Sequence, residues 1–326
     1  MKNEQAKNIR WGIIGLGGIA QKFATDLATI PNCKLIAVAS RDQQKANGFA
    51  KKFNAKIAFG SYEDLSQCNE VDAVYIATPH SFHKEHSILC LKHKKAVLCE
   101  KPFAMNANEV DEMIITAKEN NVLLMEALWT YFLPHYIYVL ELIKTEKYGK
   151  VKKIEADFGF FTDYNEESRV FKKEVGGGSL LDIGIYPIFA ALSTLGIPDS
   201  IDAKATFFES GADSSCRMIF QYENVRAVLK STLLEETPTE AIFTCEKAVI
   251  KINTRFHEPS SVSIIQNNEE KILDFPCDTL GYNFEIVHFN QLLRGNKKES
   301  DVMTFDFSRN LIKTLDMVRN HINLVY

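Results

Sequence analysis

Glu100-Lys101-Pro102 closes an apolar run, Ala96-Val97-Leu98-Cys99, and begins 85 positions after Gly15. Gly15 opens a glycine-rich turn, Gly15-Leu16-Gly17-Gly18-Ile19-Ala20, which follows the strand-like run Trp11-Gly12-Ile13-Ile14. Together these segments place a lysine at the carboxyl end of a parallel strand, on the edge where a doubly wound sheet binds its nucleotide. A cation there can stand beside the reactive end of a cofactor. Within the turn, Gly15 permits the tight strand-to-helix bend and Gly17 lets the backbone approach a pyrophosphate. Ala20 takes the small position where helix meets strand. The helix that starts at Gly18 and Ile19 offers its N–H donors and positive dipole end to phosphates.

The second strand ends Ala37-Val38-Ala39-Ser40-Arg41-Asp42. An NAD-selective site usually places an acid at this strand end to accept the ribose hydroxyls. Ser40 stands there instead, followed by Arg41, and a hydroxyl with a guanidinium suits a 2′-phosphate. The expected cofactor is therefore NADP. NAD stays open, because Asp42 can turn inward one or two positions late.

These residues must be positioned by regular elements. Over the first ~125 residues strands alternate with helices, the mark of a parallel sheet with crossover helices. Strands are predicted at Arg10–Ile14, Lys34–Ser40, Asp72–Ala77, Ala96–Cys99 and Val122–Met125. Helical stripes run through Ile19, Phe23 and Leu27, then Ala46, Phe49, Ala50 and Phe53, then Val110, Met113, Ile114 and Ala117. Another stripe, Leu133, Ile137 and Leu140, starts near Pro134 and stops before Gly149. From Val151 apolar and polar residues alternate, as in Ile154, Ala156 and Phe158 against Glu155 and Asp157, the period of a half-buried strand. Further strands are expected at Ala203–Glu209, Cys216–Tyr222, Val225–Leu234, Ala241–Cys245, Ala248–Ile252 and Val262–Gln266. Helices are expected near Ser179–Leu195, Phe284–Arg294 and Thr304–Asn320. The fold class is α/β: a Rossmann dinucleotide-binding domain over 1–128, then an α+β domain over 129–326 with a large open, mostly antiparallel sheet.

The 326 residues, 46% hydrophobic and 25% charged, suit two globular domains. A net charge of −4 without a long basic run argues against nucleic acid or an anionic membrane as partner. The polar start, Met1-Lys2-Asn3-Glu4-Gln5, is read as having no signal peptide. No apolar stretch is expected to reach the ~18 residues of a membrane span. The seven cysteines form no C-x-x-C pair, which fits free thiols in a reducing cytoplasm.

At this point the chain resembles the glucose–fructose oxidoreductase/inositol dehydrogenase family (Gfo/Idh/MocA). The resemblance rests on the glycine turn, Ala77-Thr78-Pro79-His80, Glu100-Lys101-Pro102, and Gly177-Gly178-Ser179-Leu180-Leu181-Asp182-Ile183-Gly184-Ile185-Tyr186. Leu124-Met125-Glu126-Ala127-Leu128-Trp129-Thr130 and the terminal Tyr186 make it most similar to the dimeric dihydrodiol dehydrogenase and NADP-dependent D-xylose dehydrogenase branch. The resemblance implies a cofactor site that includes Thr78, Pro79, His80, Glu100 and Lys101. It further implies a substrate pocket lined by Trp129 and Phe158, and a homodimer built on the second sheet.

The residue chemistry points the same way. Oxidising an alcohol needs a base near the hydroxyl, because the proton must leave as hydride moves to nicotinamide. A phenol is a poor base at its free pKa of about 10, but a neighbouring ammonium favours the phenolate. Tyr186 and Lys101 make such a pair if the second domain presents its first helix to the cofactor edge. Asp182, one turn before Tyr186, is expected on the same helix face, to orient Lys101 or a substrate hydroxyl or else to serve the helix itself. Gly176-Gly177-Gly178 would let the loop pass close to the cofactor. His83 and His86 flank Lys84 and Glu85 on what reads as a short exposed helix, with no zinc-like spacing, so no metal is expected. The expected activity is hydride transfer between nicotinamide and a cyclic polyol, an aldose such as D-xylose or D-glucose at C1, or a trans-dihydrodiol. The competing expectation is a non-catalytic NADP-binding regulator or sensor of the same fold.

Overall fold

The structure, a computed structural model, describes residues 8–326. The polar start lies outside the described residues. The chain divides into two compact units. One runs through Trp129 and takes back Thr279–Arg309; the other holds Thr130–Asp278 and Asn310–Tyr326. Trp129 and residues 279–309, expected in the second domain of the 1–128 and 129–326 division, group with the first unit.

The first unit alternates β1 (Ile9–Ile14), α1 (Gly18–Leu27), β2 (Cys33–Ala39), α2 (Gln43–Phe53), β3 (Ile57–Phe59), α3 (Tyr62–Gln67), β4 (Ala73–Ile76), α4 (His83–Lys92), β5 (Ala96–Glu100), α5 (Ala107–Asn120) and β6 (Leu124–Ala127). All pairings are parallel, in the order β3-β2-β1-β4-β5-β6. The order reverses beside β1, so β1 and β4 flank the switch point where such sheets bind ligands. β3 escaped the sequence reading because three residues at a sheet edge give too short a run to show alternation.

The returning segment carries α8 (Tyr282–Arg294). The Asp26 carboxylate on α1 accepts the backbone N–H groups of Leu280 (3.0 Å), Tyr282 (2.8 Å) and Asn283 (3.2 Å), capping α8 from another helix. Trp11 completes the dock: its Nε1 donates to Asn290 Oδ1 at 3.2 Å and its ring lies 5.1 Å from that of Phe289.

α8 also buries Glu285, which is 0% exposed, with neither carboxyl oxygen hydrogen-bonded among the described residues. Burial pushes this carboxyl well above the usual range, and the nearby carboxyls Glu100 and Asp26 push the same way. The folded chain therefore keeps a proton that the unfolded chain gives up above about pH 4.3. Stability then falls as pH rises beyond that value. Glu285→Gln copies the neutral acid. It is expected to melt with the parent at about pH 4 and above it at about pH 8, the gap widening with pH. A gap independent of pH in a melting series would rule out a protonated Glu285.

The second unit holds α6 (Pro134–Lys144), β7 (Val151–Gly159), α7 (Ile185–Leu195), β8 (Ser200–Phe207), β9 (Asp213–Tyr222), β10 (Val225–Thr232), β11 (Ala241–Cys245), β12 (Val249–Ile252), β13 (Val262–Gln266) and β14 (Glu269–Leu273). Its eight-stranded sheet runs β14-β13-β12-β11-β7-β10-β9-β8, antiparallel except for the parallel pair β7 and β10. α7 packs on β7 and β10, and α6 on β12. The charged edge strand β14 has no buried face, so no alternation betrayed it. In α6 the expected stripe Leu133, Ile137, Leu140 is out of phase: Ile137 is exposed, and the buried side is His135, Tyr136, Val139 and Leu142. Tyr136 decides this phase, stacking 4.9 Å from Phe189 and sharing a 2.7 Å hydrogen bond with Ser193.

α9 (Phe305–His321) begins in the returning segment and ends in the second unit. One expectation on apolar runs is corrected. Lys173–Leu195 is long and apolar enough to cross a membrane by length and composition, yet 94% of its most apolar window is buried in the protein.

Candidate functional site

In the first unit the glycine turn bridges β1 and α1. Gly15 has φ +87°, and a Cβ there would stand 2.6 Å from the Ala77 carbonyl and the Thr78 nitrogen. A Cβ at Gly17 or Gly18 would meet nothing within 4 Å. The turn is thus tight on its protein side and open on the other, and no side chain caps α1. A pyrophosphate fits that opening, with the helix N–H groups as donors. Ala20 is fully buried against the sheet and Ile19 half-buried.

A cleft of about 320 Å³ opens beyond the end of β2, lined by Arg41, Ser61, Tyr62, Thr78, Phe82 and His86 among others. Arg41 lies over the Phe82 ring, 5.9 Å from its centroid. Ser40 is buried and its Oγ accepts the Asp42 N–H at 3.2 Å. The Asp42 carboxylate accepts from Gln44 N (2.8 Å) and Lys45 N (3.1 Å) as the cap of α2. The inward turn left open for Asp42 does not occur, so the strand end itself offers a hydroxyl and a guanidinium, while Glu63 and Glu85 line the cleft farther along the chain.

The ends of β4 and β5 carry Thr78-Pro79-His80 and Glu100-Lys101. His83 ties them together: Nε2 lies 2.8 Å from the Thr78 carbonyl and Nδ1 2.8 Å from that of Pro102. Burial drives its pKa down to about 4. The neutral ring donates to one of these oxygens at a time. His86, also lowered to about 4 by burial, meets Thr78 Oγ1 at 3.1 Å. The helix bearing both histidines is therefore not exposed on this side, contrary to the sequence reading. Among the described residues no trio of His, Cys, Asp or Glu is arranged to hold a metal. His80 is buried with its ring 5.6 Å from His83. Glu100 accepts the Tyr75 hydroxyl and, at 3.2 Å, the Lys101 N–H. Trp129 stacks on Tyr282, ring centroids 4.4 Å apart.

In the second unit Asp182 lies in a π-helical turn, Leu180–Gly184, that runs into α7, so its spacing to Tyr186 is not that of a regular α-helix. It is nearly buried and pairs with Arg169 Nη2 at 3.2 Å. Tyr186 is 5% exposed, and its ring lies 5.7 Å from Phe158 and 4.8 Å from His257. The glycines before the turn fit closely against their own unit. A Cβ on Gly177 would meet the Arg169 and Lys172 carbonyls at 2.6 Å, and one on Gly178 (φ +114°) would strike Asp213 Oδ1. Asp213 holds this turn, its Oδ2 accepting Ser179 Oγ and Leu180 N, each at 2.7 Å. Burial raises its carboxyl to about 6 against those bonds.

Residues 9–128 match the oxidoreductase family with an NAD-binding Rossmann fold, and residues 136–251 match the GFO/IDH/MocA C-terminal domain. A trans-1,2-dihydrobenzene-1,2-diol dehydrogenase of Xenopus tropicalis is 36% identical over 97% of this chain and 99% of its own. The chain belongs to the Gfo/Idh/MocA oxidoreductase family. An NADP(+)-dependent scyllo-inositol 2-dehydrogenase of Bacillus subtilis (strain 168) is 35% identical over 98% of both chains. The fold matches that of a 3-ketoreductase of Actinomadura kijaniata in complex with NADP and TDP-benzene, with a TM-score of 0.88, 24% identity, and 97% and 98% of the two chains covered.

For this Gfo/Idh/MocA chain the sequence reading weighed His83 only as a metal ligand, and it missed Asp213, Tyr282 and His257. None sits in a local pattern that marks it. Each matters through a partner distant in sequence.

Proposed function

We propose that the chain is an NADP-dependent dehydrogenase of cyclic polyols, with Tyr186 as the acid–base group and Lys101 as its charge partner. The observation that carries the reading is the side-chain set at the end of β2, where Ser40 and Arg41 stand and the acid on that strand end, Asp42, is committed to capping α2. Bound there, the cofactor supplies a hydride acceptor at nicotinamide C4. Gly17 and Gly18 leave room that a pyrophosphate would fill, and Arg41 would hold the 2′-phosphate. Tyr186 takes the hydroxyl proton as the alcohol is oxidised, and the Lys101 ammonium favours the phenolate that accepts it. Phe158 and Trp129 offer ring faces to the apolar side of a cyclic substrate. The test follows reduction of NADP⁺ and NAD⁺ against aldoses, inositols and dihydrodiols. Absence of turnover with all of them would favour the sensor.

NADPH is expected to bind more tightly than NADH. Arg41→Ala should weaken NADPH by roughly 1–3 kcal/mol, the scale of a charge-assisted hydrogen bond, and leave NADH nearly unaffected. Equal affinities for both cofactors in the parent, measured by calorimetry, would sink this assignment.

The second sheet is proposed as a homodimer face. Its inner side buries Met218 and Phe220, while Ile219, Val228, Ile242 and Val249 stand half-buried on the other. Glu155 and Lys251 stand in register among them, so this face offers both apolar and charged side chains to a second copy. Light scattering at micromolar protein should report a dimer; a monomer mass refutes it. A reducing cytoplasm is the proposed compartment, supported by seven cysteines without a disulfide.

A further inference from the structure

Tyr186 stands in the first turn of α7, but the helix that carries it starts earlier. Ser179 opens it, the wide turn Leu180–Gly184 follows, and α7 continues from Ile185. A π turn closes its bonds one residue wider than an α turn and is rare, occurring mostly as single turns at functional sites. This one is fastened by Asp213, the first residue of β9 and fully buried. Asp213 Oδ2 accepts Ser179 Oγ and Leu180 N, each at 2.7 Å, so it satisfies a donor of the helix start from another element. A negative charge there also meets the positive end of the helix dipole. Ser179 Oγ shares a 3.0 Å hydrogen bond with Ser231 Oγ on β10, and a Cβ on Gly184 would meet that same oxygen at 2.9 Å. The turn is thus seated at both ends, by Asp213 at Ser179 and by Ser231 at Gly184, shortly before Tyr186.

The charge on Asp213 is costly where it stands. Its Oδ1 lies against Gly178 without a hydrogen bond among the described residues. The titratable side chains set against it are Cys216 on its own strand and Tyr326 at the chain end, and burial holds both neutral. Arg319 and Asp182 stand beyond, around Tyr326. Burial lifts the Asp213 carboxyl to about 6, against the hydrogen bonds from Ser179 and Leu180 that hold it down. An aspartate in the unfolded chain ionises at about 3.9, so stability falls as pH rises from that value through the folded one. A neutral amide of the same shape would be less costly to bury. What the carboxylate adds is grip, since a hydrogen bond to an ionised acceptor is roughly twice as strong as a neutral one.

We propose that Asp213 is a positioning residue for Tyr186: its carboxylate fastens the turn that leads into α7, and turnover requires that fastening. The assignment rests on the dehydrogenase reading and extends it from the reacting groups to the contact that aims one of them. Asp213 acts through the helix and touches neither substrate nor cofactor in this role.

The test measures kcat and KM for NADP⁺ reduction between about pH 5 and pH 9, with scyllo-inositol, D-xylose and trans-1,2-dihydrobenzene-1,2-diol and the full chain. In the parent kcat should drop on the acid side with a midpoint near 6, where the carboxyl takes up its proton. Asp213→Asn should lower kcat ~10–100-fold at about pH 8, the scale of a small misplacement, with NADPH affinity near the parent's, and the acid limb near 6 should vanish. Ser179→Ala removes one donor to the carboxylate, so the limb should move to higher pH. Melting separates aim from packing. Between about pH 4 and pH 7 the difference in melting temperature should move in favour of Asp213→Asn, so the variant loses turnover while it gains relative stability. An acid limb that survives in Asp213→Asn, or parental turnover in that variant, defeats this inference alone. Turnover lost only in step with melting assigns Asp213 to packing and overturns it as well. If Asp213→Asn does not fold, Ser179→Ala decides, and an unmoved limb refutes the proposal. No NADPH formation from any substrate defeats the dehydrogenase reading and this inference with it.

Discussion

Tyr186→Phe is expected to lower turnover by roughly 10²–10⁴-fold while NADPH affinity stays near that of the parent. The substitution deletes one oxygen and keeps the ring that packs beside Phe158 and His257. The loss therefore reports proton transfer and not packing. On the proposed mechanism the ammonium acts through the phenolate, so Lys101→Met should cost a similar factor. When two groups serve one proton transfer their losses do not add, so the double variant should be only slightly worse than either single. Full turnover in Tyr186→Phe, or strictly additive losses in the double variant, overturns the mechanism and returns attention to another base, such as His80.

Gly15→Ala and Gly17→Ala are expected to fail in different ways. At Gly15 the backbone has φ +87°, and the new methyl would lie 2.6 Å from backbone atoms of Ala77 and Thr78. Those atoms cannot retreat, since Ala77 N donates to Ile14 O at 2.8 Å and holds the end of β4 to β1. Strain and overpacking together should cost about 3 kcal/mol or more of stability, seen as a lower midpoint in denaturant. At Gly17 the backbone has φ −89°, which alanine adopts, and a Cβ meets no protein atom within 4 Å. Gly17→Ala should unfold with the parent. Its methyl instead occupies the space through which a pyrophosphate reaches the helix N–H groups, so NADPH affinity should fall by roughly 10-fold or more. If Gly17→Ala binds NADPH as the parent does, the phosphate cradle is elsewhere. If Gly15→Ala melts with the parent, the turn is looser than its geometry requires.

The parts of this protein that sequence determined by itself are those that depend on near neighbours. The helical stripes around Phe23, Ala50 and Met113, the alternation at Ile154–Phe158, and the glycine turn ahead of α1 each arise within a few residues. Glu100-Lys101 at the end of an apolar run placed a lysine at a strand terminus for the same reason. Local pattern was misleading where a tertiary partner set the phase, as in α6, where Tyr136 on Phe189 turned Ile137 outward. Tertiary structure alone decided the rest. Asp26 captures α8 from more than 250 positions away. His83 joins the loops after β4 and β5, Asp213 grips the turn that leads to Tyr186, and His257 packs against its ring. A carboxylate or an imidazole carries no sign of which donor will reach it, because that choice is made by whichever elements hydrophobic burial brings together, and burial is a property of faces, not of single positions.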